Sequence, residues 1–185
     1  MGKGIGRRRN LIVAALAALL VVPAILVATS GRTAAASTVL TILNGSASVA
    51  RGAAEFAAAV DGDLLTGGDR VRTADASHAV ITFFDGSTIE IEPASMVTVD
   101  TATSNANGSI TISITQTLGR TWTSVQKLTH VDSRFDLKTP TTTAVVRGTG
   151  FITTVAPTGE TTLQTSEGIV AVSSQVRPCR SAPGK

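Results

Sequence analysis

The sequence predicts an all-β domain, a twisted β-sandwich or a short β-solenoid-like stack of hairpins, preceded by one N-terminal transmembrane helix. Two observations favour this fold class. From Thr38 onward, short runs rich in Val, Ile and Thr alternate with Gly, Asn and Asp turn signals, a spacing typical of all-β domains. Before that point, the stretch from Leu11 to Ala28 contains neither a charged side chain nor a side-chain hydrogen-bonding group.

The apolar stretch Leu11–Ala28 has the length of a membrane span. A helix of this length covers roughly 27 Å, close to the hydrocarbon thickness of a bilayer. Four basic residues precede it: Lys3, Arg7, Arg8 and Arg9. Basic residues stay on the cytoplasmic side, so we expect a single-pass inner (cytoplasmic) membrane protein with an extracytoplasmic C-terminal domain. The alternative is a signal peptide cleaved near Ala36, which would release the domain.

These features divide the chain into five predicted parts. They are a cytoplasmic basic segment at 1–10, a transmembrane helix or uncleaved signal anchor at 11–29, a linker at 30–37, the β domain at 38–173 and a disordered tail at 174–185. The tail contains Pro178, Pro183 and no hydrophobic periodicity, which is typical of segments that do not fold.

Composition argues against several functional classes. Five of the 16 basic residues lie in the first 32 positions, so the remainder carries 11 basic and 13 acidic residues, a net charge of −2. A mildly acidic domain with few aromatic residues lacks the basic surface that nucleic-acid binding needs. The single cysteine, Cys179, forms neither an internal disulfide nor a thiolate metal site. His78 and His130 lie in no triad or ligand spacing, so we expect no catalysis, cofactor or metal.

Two hairpins are predicted from turn dipeptides. Asn44-Gly45 is expected to join strands at 39–43 and 47–51, and Asp85-Gly86 to join strands at 79–84 and 87–91. A two-residue turn with positive φ at both Asp85 and Gly86 sets the register of the second hairpin. That register predicts four residues on its core face: Val80, Phe84, Ile89 and Ile91.

Further along, alternation and spacing predict more strands. Ile110, Ile112 and Ile114 alternate with Thr111, Ser113 and Thr115, the period-2 pattern of a half-buried strand. A separate strand is expected at 120–125, followed by others up to 169–173.

At this point the motifs resemble those of the FecR domain family. The resemblance covers about Thr38 to Val172, in the family's order. Its motifs are Gly62-Asp63-x-Leu65-x-x-Gly68-Asp69-Arg70-Val71-Arg72-Thr73, Ser77-x-Ala79-x-Ile81-x-Phe83-x-Asp85-Gly86-Ser87, Pro93-x-Ser95, Gly119-Arg120-x-Trp122, Phe135-x-Leu137-x-Thr139-Pro140-Thr141, Val146-Arg147-Gly148-Thr149-x-Phe151 and Glu167-Gly168-x-Val170. The resemblance implies an exported β domain related to envelope regulators of iron uptake. With about ten residues before the apolar stretch, we expect a stand-alone FecR-type domain without the anti-sigma region.

We expect the motif residues to have mainly structural roles. They are Gly68, Asp69, Arg72, Asp85, Gly86, Trp122, Pro140, Arg147 and Gly148. Glycines are expected at turns or bulges. We expect Arg147 to pair with a carboxylate such as Asp69 or Asp85, and Trp122 to fill the core.

The resulting functional hypothesis is a membrane-tethered, non-enzymatic FecR-like binding or sensing module in bacterial envelope signalling. Its predicted partners are the lipid bilayer, through Leu11–Ala28, and an envelope protein or glycan engaged by loops or by strand addition at a sheet edge. The alternative is a structural envelope or cell-surface scaffold component without a signalling role.

Overall fold

A computed structural model describes residues 37–167 and 170–174, and these residues form β-strands joined by turns. The strands are β1 (Thr38–Asn44), β2 (Ala47–Ala50), β3 (Ala57–Ala58), β4 (Asp63–Leu65), β5 (Asp69–Thr73), β6 (His78–Thr82), β7 (Thr88–Ile91), β8 (Met96–Ser104), β9 (Ile110–Ser124), β10 (Arg134–Lys138), β11 (Thr142–Val146), β12 (Gly150–Val155), β13 (Thr161–Glu167) and β14 (Val170–Ser174). The all-β prediction is confirmed. Within these residues no helix has the length and apolar character needed to cross a bilayer, and the predicted span at 11–29 lies outside them.

The strands form one curled sheet with two halves that share β9. In the first half the order is β4-β1-β6-β7-β9-β12-β13. In the second half it is β3-β2-β5-β8-β9-β10-β11-β14. Of these pairs, β9–β10 is parallel and the others are antiparallel. The chain therefore returns from the end of β9 to the start of β10 through a connection at 125–133, here called the crossover segment.

The long strand β9 passes from one half to the other by bending at Gly119. Gly119 has a φ of +85°, and a Cβ built there would lie 2.5 Å from the Ser95 Cβ. On the inner side, the buried Gln116 side chain donates from Nε2 to the Gly119 carbonyl at 2.8 Å. Thr121 Oγ1 donates to Gln116 Oε1 at 2.8 Å. Gly119 and the Gln116 side-chain amide, whose donor and acceptor are both hydrogen-bonded, hold the bend. The strands predicted at 110–115 and 120–125 are therefore one element.

The core lies between the two halves. Buried side chains from both halves form one cluster, because alternate residues of each strand point inward. Phe83 of the first half meets Phe135 of the second edge-to-face, with ring centroids 6.1 Å apart. With few aromatic residues available, aliphatic side chains make up most of this cluster: Leu40, Val71, Ile81, Ile89, Ile91, Val97, Val99, Ile112, Ile114, Leu137 and Val146.

The first predicted hairpin is wrong. β1 pairs with β4 and β6, whereas β2 pairs with β3 and β5. The Asn44-Gly45 turn therefore carries the chain from one half of the sheet to the other. The Ser46 N–H donates to Ser77 Oγ at 3.0 Å, and a Cβ at Gly45 would lie 2.8 Å from the Ser77 Cβ. This close packing against the turn before β6 favours glycine at that position.

The second hairpin exists, since β6 pairs with β7, but its predicted register is wrong. Gly86 has positive φ and Asp85 does not. The Gly86 N–H donates to the Phe83 carbonyl and the Phe83 N–H to the Ser87 carbonyl, both at 2.9 Å. Because this loop is longer than a two-residue turn, the register shifts by one residue, and the residues of β6 predicted to face the core face outward instead. The buried residues of the hairpin are Ala79, Ile81, Phe83, Ile89 and Ile91, while Val80 and Phe84 are half-buried on the outer side.

Candidate partner-binding surface

The outer face of the first half presents an exposed tryptophan. Trp122 lies on β9 beyond the bend, and 51% of its surface is exposed. The inward positions on either side of it are taken by Thr121 and Thr123, which are fully buried. The prediction that Trp122 fills the core is therefore wrong, because strand alternation directs its side chain outward.

The neighbours of Trp122 across the sheet form a row that mixes apolar and polar side chains. Trp122 pairs with Glu90 of β7 on one side and with Ile152 of β12 on the other. Val80 follows beyond Glu90, and Gln164 follows beyond Ile152. We call the row Val80, Glu90, Trp122, Ile152 and Gln164 the Trp122 face.

A His–Glu contact and an ion pair lie along the Trp122 face. His78 Nδ1 lies 3.7 Å from Glu90 Oε1, and Arg120 Nη1 lies 3.4 Å from Glu92 Oε2. All four side chains are partly exposed, so they contribute little to stability. A large exposed aromatic side chain beside an aliphatic neighbour and several charged groups has the composition of a protein-interaction surface, where tryptophan is enriched among the residues that dominate binding.

Asp69 is a buried carboxylate whose partner is Arg51. Only 2% of Asp69 is exposed. Its Oδ2 accepts hydrogen bonds from Arg51 Nη1 at 2.8 Å, from the Thr66 N–H at 2.9 Å and from the Thr66 hydroxyl at 3.1 Å. Burial by itself raises the pKa of Asp69, but these hydrogen bonds and the Arg51 charge lower that pKa below its ordinary value,. Arg51 Nη1 also donates to the Leu64 carbonyl, so the pair ties β2 to the loop before β5.

The predicted pairing of Arg147 with Asp69 or Asp85 is wrong. Arg147 Nη2 donates to the carbonyls of His130 and Val131 at 3.2 and 3.0 Å, so it holds the crossover segment. Backbone carbonyls satisfy the guanidinium here in place of a carboxylate.

Asp85, Gly86 and Gly148 also lie around the crossover segment. Asp85 accepts hydrogen bonds from the Ser87 N–H at 2.9 Å and the Ser87 hydroxyl at 2.7 Å. Ser87 Oγ in turn accepts from the Gln126 N–H at 3.0 Å, and Gln126 Nε2 donates to the Gly86 carbonyl at 3.3 Å. A Cβ at Gly148 would lie 3.2 Å from the Lys127 Cα. Two distant motifs therefore converge on one loop, which their sequence separation did not indicate.

The remaining motif residues lie apart from this group. Gly68 has a φ of +95°, and its N–H donates to the Val99 carbonyl at 2.7 Å. Pro140 is in the turn between β10 and β11, where Thr139 Oγ1 accepts from the Thr142 N–H at 3.1 Å. Arg72 is exposed on β5. No group of three or more His, Cys, Asp or Glu side chains among the described residues is placed to hold a metal ion.

Fold and surface together define an all-β domain that presents an aromatic-bearing face. The family model described as "FecR protein" matches residues 69–171, more than half of the chain, and the chain belongs to the FecR family. The matched region begins at β5 and ends in β14. Strands β1 to β4 lie outside the matched region but belong to the same sheet. No curated protein and no solved structure matches the sequence.

Proposed function

We propose that this chain is a membrane-tethered, extracytoplasmic module that binds a protein partner in bacterial envelope signalling and performs no catalysis. Membership of the FecR family supports the signalling role, since FecR domains are found in envelope signalling proteins. The apolar stretch Leu11–Ala28 behind a basic cluster supports the tether and its orientation,. The half-exposed Trp122 carries the binding part of the proposal.

A protein partner fits the Trp122 face for a physical reason. Trp122 lies on a central strand but outside the buried core cluster, and about half of its surface is exposed and available to a partner. Burial of that surface is favourable by about 25 cal/mol per Å². Glu90 within the face, and His78, Glu92 and Arg120 beside it, provide polar groups of the kind found at the rim of such anchors. Loss of Trp122 is therefore expected to weaken binding without unfolding the domain.

A reporter experiment tests the location. We expect the full chain with alkaline phosphatase fused to its C-terminus to be active in the membrane fraction, because that enzyme folds outside the cytoplasm. A matched fusion of a fluorescent protein that matures in the cytoplasm should remain dark. An inactive phosphatase with a bright fluorescent fusion would contradict the proposal.

A transcription experiment tests the signalling role. We expect deletion of the gene to change the expression of a defined set of genes, and Trp122→Ala in the full chain to reproduce that change at a normal protein level. Thr103→Ala, at an exposed position on β8, is the matched control and should behave as wild type. Unchanged transcription in the deletion strain, accompanied by a weakened cell surface, would instead favour a structural scaffold.

A further inference from the structure

A groove crosses the outer face of the second half of the sheet. Its floor is one row of cross-strand neighbours, in which Ser48 pairs with Arg72, Arg72 with Met96 and Met96 with Leu118. Residues 73–75 and 94–95 border this floor, and the groove has a volume of about 390 Å³. Four adjacent strands span roughly 14 Å at about 4.8 Å per gap, so the groove matches the length of about four extended residues.

Arg72 lines this groove, and its guanidinium has no hydrogen-bond acceptor and no carboxylate partner among the described residues. The other arginines of the described residues each donate a hydrogen bond to the protein or form an ion pair: Arg51, Arg70, Arg120, Arg134 and Arg147. Arg72 has neither within those residues. Its guanidinium carbon lies 4.6 Å from the centroid of the Phe56 ring, a cation–π contact that holds the group while leaving its N–H donors unused.

The electrostatic setting of Arg72 favours an anion. Arg70, two residues away on the same face of β5, has its guanidinium carbon 5.1 Å from the same Phe56 ring. Two positive charges therefore lie around one aromatic side chain. Asp75 lines the groove at one border, but its carboxylate is not within 4 Å of a basic nitrogen among the described residues.

The rest of the groove is apolar. Met96 and Leu118 follow Arg72 along the floor, and Ala74 and Ala94 form part of the border. Ala94 has a φ of +52°, a conformation in which glycine is the usual residue, so its methyl group adds apolar surface where glycine would leave none. The groove therefore offers a cation at Arg72 and apolar surface at Met96 and Leu118.

We propose that this groove binds an extended polypeptide segment that carries an acidic residue two or three positions from an aliphatic one. The planar guanidinium of Arg72 matches a carboxylate through paired hydrogen bonds. Leu118 lies two strand spacings from Arg72, about 10 Å, which is the length of about three extended residues. The site is separate from the Trp122 face and does not depend on it.

Fluorescence anisotropy of a labelled peptide with the full chain in mild detergent tests the proposal. The probe is acetyl-Ala-Glu-Ser-Leu-Ala-amide, and two matched peptides replace its Glu with Gln or its Leu with Ser. We expect the probe to bind at least about tenfold more tightly than the Gln peptide, as for a charge-assisted pair. The Ser peptide should also bind more weakly, and salt should reduce the preference for Glu.

Variants of the full chain separate this site from general attraction. Arg72→Gln should abolish the preference for Glu over Gln, whereas Lys127→Gln removes an exposed charge elsewhere and should preserve it. Arg72 is exposed, so thermal unfolding should show that Arg72→Gln remains folded. Equal binding of the Glu and Gln peptides, equal loss in both variants, or displacement of the probe by acetate or inorganic phosphate at matching concentrations would overturn the proposal.

Discussion

The buried carboxylate of Asp69 provides a sharp test of how the fold is held together. Replacing Asp69 with alanine removes the acceptor of three hydrogen bonds, from Arg51 Nη1, the Thr66 N–H and the Thr66 hydroxyl. The change also leaves Arg51 without its closest carboxylate, at 2.8 Å. The connection between β2 and the loop before β5 then depends on weaker contacts.

The expected loss of stability depends on how far each partner of the Arg51–Asp69 ion pair is buried. Removing one partner of a buried pair costs about 3–5 kcal/mol, but the Arg51 side chain is 46% exposed and regains water after the substitution. We therefore expect a loss of about 3 kcal/mol in the free energy of unfolding, at the low end of that range. For a domain of this size, such a loss lowers Tm by roughly 10 °C.

Thermal and urea unfolding of the full chain in mild detergent, followed by circular dichroism at neutral pH, measures this loss. Asp75→Ala is the matched control. Asp75 is also acidic but is exposed, and its carboxylate makes no hydrogen bond or ion pair among the described residues, so we expect a change below about 0.5 kcal/mol. Equal effects of the two substitutions would refute the assignment of Asp69 as a structural anchor.

Four further predictions concern the same domain. The pKa of Asp69 is lowered in the folded protein, so the stabilisation that the ionised carboxylate provides is complete above its unfolded-state pKa of about 3.9 and declines as pH falls toward the folded-state pKa. The difference in unfolding free energy between wild type and Asp69→Ala should therefore shrink below about pH 4. Phe135→Ala should cost about 4 kcal/mol in urea unfolding, and Phe135→Leu clearly less. Gly119→Ala should lower the free energy of unfolding by about 3 kcal/mol, because the φ of Gly119 is +85° and the new Cβ would collide with Ser95,. Gly62 is the matched control: its φ is +87° but the space around it is open, so Gly62→Ala should cost about 1 kcal/mol. Trp122→Ala should cost about 1–2 kcal/mol, because about half of the side chain is already exposed,, and should abolish partner capture, which co-purification would show.

Local patterns predict strands well where alternation is strict. Ile112 and Ile114 are buried, and Ile110 packs against the same core, as the alternation predicts. The all-β class follows from many such short patterns, because each needs only its own neighbours.

The direction of side chains beyond a turn or bend is harder to predict. One extra loop residue in the β6–β7 hairpin reverses the inward set, so Ile81 lies inside and Val80 outside. Beyond Gly119, Thr121 and Thr123 take the inward positions and Trp122 the outward one. Hydrophobicity alone assigns tryptophan to the core, and only the geometry of the bend determines that it is exposed.

Hydrogen-bond and ion-pair partners that lie far apart in the chain are the hardest to predict from sequence. The partner of Asp69 is Arg51, 18 residues earlier and outside the region that matches the FecR family. Arg147 bonds to backbone carbonyls, which leave no mark on side-chain patterns. The row of cross-strand neighbours from Ser48 to Leu118 that forms the floor of the groove depends on strand order, and the prediction of the first hairpin had that order wrong.

Site-specific photo-crosslinking in living cells tests directly whether the Trp122 face binds an envelope protein. A photoreactive phenylalanine analogue replaces Trp122 in the full chain, and a matched chain carries the analogue at Thr103. We expect one discrete protein adduct in the membrane fraction from position 122 and none from position 103. The same adducts from both positions, or no adduct from position 122 in cells that contain the folded protein, would contradict this expectation.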